Sequence, residues 1–127
     1  MAFPVDEERI AEAEAQLGRQ LPPELRARLL RDNGAEIEVD GYPGDDPVWT
    51  LHPVWDPTDR KRAARTANHI VRETEEAHRT IGDLPEGSIV IADNGTGDLL
   101  LVVAEEDDVV WWDHETAEVE PVTVDWA

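Results

Sequence analysis

IVIADNGTGDLLLVVAEEDDVVWWDHE, residues 89–115, is the stretch on which the fold turns. It holds three apolar runs, Ile89–Ala92, Leu99–Ala104 and Val109–Trp112, each four to six residues long and rich in Val, Ile, Leu or Trp. That composition belongs to strands. Asp93–Asp98 (DNGTGD) and Glu105–Asp108 (EEDD) separate the runs. Breaks this short join antiparallel neighbours, because a parallel crossover needs about a dozen residues or more. The stretch therefore predicts a three-stranded meander with the Leu99 strand in the middle. Its apolar residues do not alternate, so both faces need cover. Trp111 and Trp112 must point to opposite faces. One is expected in a helix-covered core, and the other on the second face, amid acids, either as the anchor of an interface or covered by Trp49, Trp55, Trp126 or the C-terminal segment.

Outward from the meander, the N-terminal side reads as helical. Glu7 and Glu8 follow Asp6, Ile10, Ala13 and Leu17 make an apolar stripe, and Gly18 is placed to stop the helix. Leu21-Pro22-Pro23 connects to a second helix with its stripe at Leu25, Leu29 and Leu30, ended by Asn33-Gly34. Ile37 and Val39 alternate with Glu36 and Glu38 as a short strand, and Val48–Val54, carrying Trp49, reads as another. From Thr58 or Asp59 to about Ile81, Ala63, Ala67, Ile70, Thr74, Ala77 and Ile81 recur at helical spacing and predict one long helix. Arg60, Lys61, Arg62 and Arg65 crowd its N-terminal end, where the helix dipole disfavours cations. Val119–Val124, broken by Pro121, is expected as a last edge strand. Helices first and a sheet mostly last make an α+β domain over residues 1–127, with five to six mainly antiparallel strands.

The chain carries 30 acidic and 11 basic residues, net −19. Residues 33–57 hold six acids and no base, and residues 80–127 hold thirteen acids and no Lys or Arg, whereas residues 58–79 hold six bases and four acids. This distribution argues against nucleic acid as a partner, since phosphate binding needs a cationic surface. It favours a basic protein partner steered by opposite charge, although high negative charge also serves plain solubility. No apolar run approaches a membrane span. The first residues, MAFPVDEERIAEAE, lack the pattern of a signal peptide, and a chain without cysteine suits a reducing cytosol. The expectation is a cytoplasmic protein.

Ile10…Glu14…Leu17-Gly18…Leu21-Pro22…Leu25…Leu29…Asn33-Gly34, the strand pair around Trp49, and Leu84-Pro85…Ile91…Gly95-Thr96-Gly97-Asp98…Val110 with Asp113-His114-Glu115 form an ordered set. Together they resemble the SUKH superfamily, which includes the fungal Smi–Knr cell-wall-assembly regulators and many small bacterial proteins. The resemblance spans nearly the whole chain. It implies an α+β fold, with Glu14, Gly18, Leu21, Pro22, Asn33, Gly34, Trp49, Gly97 and Asp98 as structural positions. It also implies no catalysis and no cofactor, and a role as an immunity protein that binds and neutralises a toxin, often a nuclease, inside the producing cell. A regulatory or scaffold protein engaging a cellular partner is the alternative. On this reading, the partner surface is Asp40, Asp45, Asp46, Glu105, Glu106, Asp107 and Asp108 with Trp111 or Trp112.

The chemistry-bearing residues form no known catalytic or metal pattern. Asp93–Asp98 places Gly95 and Gly97 where a calcium loop needs oxygens, and lacks the distal Glu. Asp113-His114-Glu115 with His52 has the ligand types for zinc, with no further ligand at the right spacing, since His69 and His78 sit on the long helix. Ser88, the one serine, has no histidine near it in sequence. GTGD lacks the lysine of a phosphate-binding loop.

Overall fold

The computed structural model describes residues 3–43 and 48–126. The chain runs α1 (Glu7–Leu17), α2 (Pro23–Arg31), β1 (Glu36–Asp40), β2 (Val48–Leu51), α3 (Arg60–Arg65), α4 (Ile70–Thr80), β3 (Ile89–Asp93), β4 (Leu99–Val102), β5 (Val109–Trp112), β6 (Val119–Pro121) and β7 (Thr123–Asp125). The seven strands form one antiparallel sheet in the order β6-β5-β4-β3-β2-β1-β7. The expected meander is present as β3-β4-β5, with β4 in the middle.

The strand count exceeds the expected five to six because the C-terminal segment divides. Pro121 pairs with Val110 of β5, while Thr123 pairs with Asp40 of β1 at the far end of the strand order. Pro121 and Thr123 are two peptide units apart, at most about 7.6 Å. The sheet must therefore coil until its two ends share one segment, with Val122 as the seam. Proline supplies no donor at this switch, and the N–H of Val122 still reaches Val109 O at 3.3 Å.

The long helix expected over 58–81 is two helices. Thr66 Oγ accepts the Asp56 N–H at 3.0 Å and donates to Arg62 O at 2.9 Å, and the Ile70 N–H donates to Pro53 O at 2.7 Å. The segment after β2 thus satisfies its backbone groups at the helix interruption, and that demand outweighs continuous helical spacing. Asp59 caps α3 and the His69 ring caps α4.

The main core lies under α1, α2 and the start of α4. Ile10, Leu25, Leu29 and Ile70 pack there on Ile37, Trp49, Leu51, Ile91, Leu100 and Trp111. On the opposite face Val90, Leu101 and Trp112 are covered by Ala77, Ile81 and Leu84, from the end of α4 and the loop after it. The second face of the meander is therefore closed by the chain itself. Trp111 is 9% exposed and Trp112 4%, so neither indole is available as the open interface anchor expected from the sequence.

Candidate protein-docking surface

Four of the expected acids sit on the tight β4–β5 connection. Glu105, Glu106, Asp107 and Asp108 are all exposed there, and Glu105 takes a left-handed φ of 67°. The connection is held from the helical layer by Arg19. Its guanidinium donates to Val103 O at 3.1 Å, Glu106 O at 2.8 Å and Asp107 Oδ1 at 3.0 Å. Arg19 stands just past Gly18, whose φ of 80° ends α1.

Asp107 and Asp108 line one wall of a groove of about 450 Å³. Its lining also includes Pro22, Pro23 and Glu24 from the start of α2, and Val122, Val124 and Trp126 from the C-terminal segment. A second groove runs along the other side of Trp126, between Ala27, Arg31 and Asp125. The Trp126 carbonyl is tied to α2 by the Arg31 guanidinium at 2.6 Å. On β1, Glu36, Glu38 and Asp40 are exposed and alternate with buried Ile37 and Val39. Asp40 lies opposite Thr123, which lines the first groove, and Glu38 lies opposite Asp125. The structure therefore gathers Asp40, Asp107, Asp108, Glu24 and Asp125 around the C-terminal seam, with half-buried Trp126 on the groove floor. Asp45 and Asp46 lie outside the described residues. The tryptophan beside the acids is Trp126, which the sequence pattern marked only as cover for the sheet.

The positions named from the family resemblance do identifiable work. Buried Glu14 accepts the Leu21 N–H at 2.7 Å and faces Arg26 at 3.5 Å. It ties α1 to the connector in which Leu21 and Pro22 are buried. Asn33 is buried and pairs with both backbone groups of Val54, accepting its N–H at 2.9 Å and donating to its carbonyl at 3.0 Å. Gly34 follows with a φ of 114°. Trp49 is 1% exposed and meets Tyr42 edge-on at 5.1 Å, and Tyr42 meets Trp111 edge-on at 4.9 Å.

Asp98, 5% exposed, is the hub beneath that aromatic cluster. Its Oδ2 accepts Trp111 Nε1–H at 3.0 Å and the Tyr42 hydroxyl at 3.2 Å. Its Oδ1 accepts the His114 N–H at 3.0 Å and the His114 ring Nδ1–H. Burial pushes the Asp98 carboxyl upward, but the donors from His114 and Trp111 outweigh it and hold the group below its ordinary value. The bond to Asp98 in turn raises His114 above its ordinary 6.5. Burial, followed by the Asp98 charge, raises Tyr42. Gly97 is required beside it: at φ 108° a Cβ would lie 3.1 Å from the His114 ring.

Asp98, Asp113 and His114 offer ligand atoms within 4.8 Å of one another, but four protein donors already saturate Asp98. His52 is elsewhere, with Nε2 2.9 Å from Asp93 Oδ2 and Nδ1 3.3 Å from Val90 O, so the zinc set considered from sequence does not assemble. Ser88 does have a histidine nearby: His78 Nε2 is 3.4 Å from its Oγ. That nitrogen, however, lies 2.7 Å from the Ser88 carbonyl, to which it must donate, while the hydroxyl donates to Pro85 O at 2.8 Å. A ring nitrogen carrying its proton toward a carbonyl is no base for the neighbouring hydroxyl.

A coiled antiparallel sheet under N-terminal helices, with the Gly18, Leu21-Pro22, Asn33-Gly34 and Gly97-Asp98 positions built into its joints, is the architecture that the sequence resemblance implied. The model of the SMI1 / KNR4 family (SUKH-1) matches residues 4–127. The chain belongs to this family. Comparison with curated proteins and with solved structures gave no significant match. In this SUKH chain, no described helix is long and apolar enough to cross a membrane.

Proposed function

We propose that this SUKH chain is a non-catalytic protein-binding module, an immunity protein that neutralises a basic toxin domain by docking it on the acidic face around the C-terminal seam. The observation that carries the reading is the groove at Trp126. It has an apolar floor of Val122, Val124 and Trp126 and a carboxylate rim of Glu24, Asp107 and Asp108. An apolar centre with a charged rim is how protein interfaces combine desolvated contact with orientation. Asp40 and Asp125 extend the negative field along β1 and β7, and Glu105 and Glu106 extend it along the β4–β5 turn. Asp45 and Asp46 are further acids proposed to take part in binding on the sequence alone. The acids speed encounter and set orientation, and Trp126 replaces the Trp111/Trp112 pair as the contact residue.

The test is binding of the purified chain to toxin domains encoded beside its gene, by calorimetry at low and high salt. Glu24→Lys with Asp108→Lys should slow association and weaken binding roughly a hundredfold, and Trp126→Ala should speed dissociation about tenfold or more. Binding that ignores both salt and the charge reversals refutes the acidic surface. Absence of binding to every neighbouring toxin domain refutes the immunity role and turns the search to a cellular partner.

A further inference from the structure

The face of the sheet away from the main core is covered only in part. Residues that lie opposite one another in paired strands share a face. Val119 therefore stands beside Trp112 and Leu99 on this second face, and Pro121 beside Val110 and Leu101. At the α4 side, Ala77, Ile81 and Leu84 pack against Val90, Leu101 and Trp112. Toward β6 the face opens. Leu99, Val110 and Ala117 are half-buried, Pro121 is exposed and Val119 is 41% exposed. The Trp112 indole belongs to the same cluster, and its buried Nε1–H meets no acceptor among the described residues.

The patch has acids around it. Asp83 and Glu86 bracket Leu84 in the covering loop, and Glu118 precedes Val119 on the β5–β6 turn; all three are exposed. None of them is ion-paired among the described residues, and residues 80–127 contain no Lys or Arg. The patch is also separate from the Trp126 groove. Val122 and Val124, which line that groove, pack with the main core, whereas Val119 and Pro121 share the face of Trp112 and Val110. The two surfaces use alternate residues of one C-terminal segment.

We infer that the open part of this second face docks an amphipathic helix of a protein partner. The helix lays its apolar stripe on Leu99, Val110 and Val119 and turns Lys or Arg flanks toward Asp83, Glu86 and Glu118. A helix fits because a helix end already serves the neighbouring half: Ala77 and Ile81, one turn apart at the end of α4, pack on the same face. From Val119 to Leu99 the patch spans two strand spacings, about 9–10 Å, the width of one helix. Charge selects among the occupants of an apolar face. Two copies of this chain, each net −19, would set acids against acids. An anionic bilayer surface is repelled in the same way. A helix with cationic flanks is attracted by the rim and desolvates the stripe. The inference goes beyond the toxin-docking reading and uses no residue that lines the Trp126 groove.

The test is fluorescence anisotropy at physiological salt with a labelled helical peptide that carries Leu at i, i+3, i+4 and i+7 and Lys on its flanks. A peptide of the same composition with the Leu positions scrambled, and one with Glu in place of Lys, are the controls. Val119→Lys, at an exposed position, should weaken binding about tenfold or more, and Glu86→Lys with Glu118→Lys about tenfold. Glu24→Lys and Trp126→Ala should leave it unchanged. In NMR of the unsubstituted chain, the peptide should shift the Trp112 indole N–H and not that of Trp126, which keeps the test decisive if a variant fails to fold. No binding, equal binding of the scrambled peptide, or binding lost in Trp126→Ala and kept in Val119→Lys would overturn the inference. So would dimerisation in sedimentation, or adsorption to anionic vesicles, that Val119→Lys abolishes, because either gives the face another occupant. Failure of the toxin domains to bind at the Trp126 groove would leave it standing.

Discussion

Replacing Asp98 by Ala removes the acceptor shared by Trp111, Tyr42 and both donors of His114. The cost divides by where each orphan can go. His114 is exposed and Tyr42 half-buried, so water can reach their donors; Tyr42 loses only the net value of a bond to an ionised group, at most about 1.5–3 kcal/mol, and solvent screens the loss at His114. Trp111 Nε1 is held in the core and finds no substitute, which adds the desolvation penalty of an unpaired donor, about 1–3 kcal/mol. Screening at the exposed side keeps the sum well below full additivity, and we expect a loss of about 3–5 kcal/mol. That is a large share of the ~6–19 kcal/mol available to a chain of this length, and lowers Tm by about 10–20 °C.

Asp98→Asn separates charge from shape. The amide keeps the volume and one acceptor, but its N–H₂ must face donors on one side, so it should lose at least half of what Ala loses. Urea denaturation followed by tryptophan fluorescence gives both values. The pH dependence fixes the cause. Asp98 is held low, so its contribution is present above its ordinary value and disappears as pH falls through its lowered one. His114 is held high, so its contribution is complete below 6.5 and is lost as pH rises through the raised value. The gap between wild type and Asp98→Asn should therefore be widest between those limits and narrow on both sides. An Asp98→Ala chain within about 1 kcal/mol of wild type, or a gap that does not change with pH, would refute the hub.

In NMR titration the His114 ring should titrate above 6.5 in the wild type and move back toward that value in Asp98→Asn; an unchanged midpoint contradicts the pairing. Asn33→Asp sets a carboxylate oxygen against the Val54 carbonyl in a buried site and should cost about 2–4 kcal/mol by urea denaturation. Gly97→Ala forces a side chain to φ 108° and should cost about 1–2 kcal/mol by the same measurement, mostly backbone strain because the exposed His114 ring can yield. Arg19→Ala should cost under about 1 kcal/mol, since its partners are at the surface, yet hydrogen exchange over residues 103–108 should accelerate as the acidic turn loses its clamp.

What the sequence made legible is local. Apolar runs with short polar breaks gave β3-β4-β5, and Gly18, Pro23 and Gly34 marked the ends of α1 and α2, because caps and turns are decided within a few residues. The misplaced features are decided by distant partners. The break between α3 and α4 answers the hydrogen-bonding needs of Pro53 and Asp56. The split of the last strand at Val122 reflects two edges meeting, and no periodicity within 119–125 encodes that. Parity placed Trp111 and Trp112 on opposite faces correctly. It could not show that Ile81 and Leu84 return to cover Trp112. Gly97-Asp98 stood out by family pattern, but its role needed Tyr42, 56 residues away.

The charge segregation that was visible in the sequence becomes, in the fold, a polarity along one helix. α2 begins at Pro23, where Glu24 joins Asp107 and Asp108 on the rim of the Trp126 groove. It ends at Arg31, after which Asn33 and Gly34 line a cavity with Phe3, Arg62 and Arg65. At 1.5 Å per residue the nine residues of α2 span roughly 14 Å, so charges at its two ends are separated by more than the ~8–10 Å over which salt leaves exposed charges coupled. Each end also carries the sign that the helix dipole favours, acids at the N-terminus and cations at the C-terminus. Segregation therefore stabilises α2 slightly while keeping two opposite fields from cancelling. Had the six bases of residues 58–79 been spread among the acids of the sheet half, each would have found a carboxylate, as Arg19 does with Asp107. The acidic face would then carry a weaker field, and the chain no basic patch.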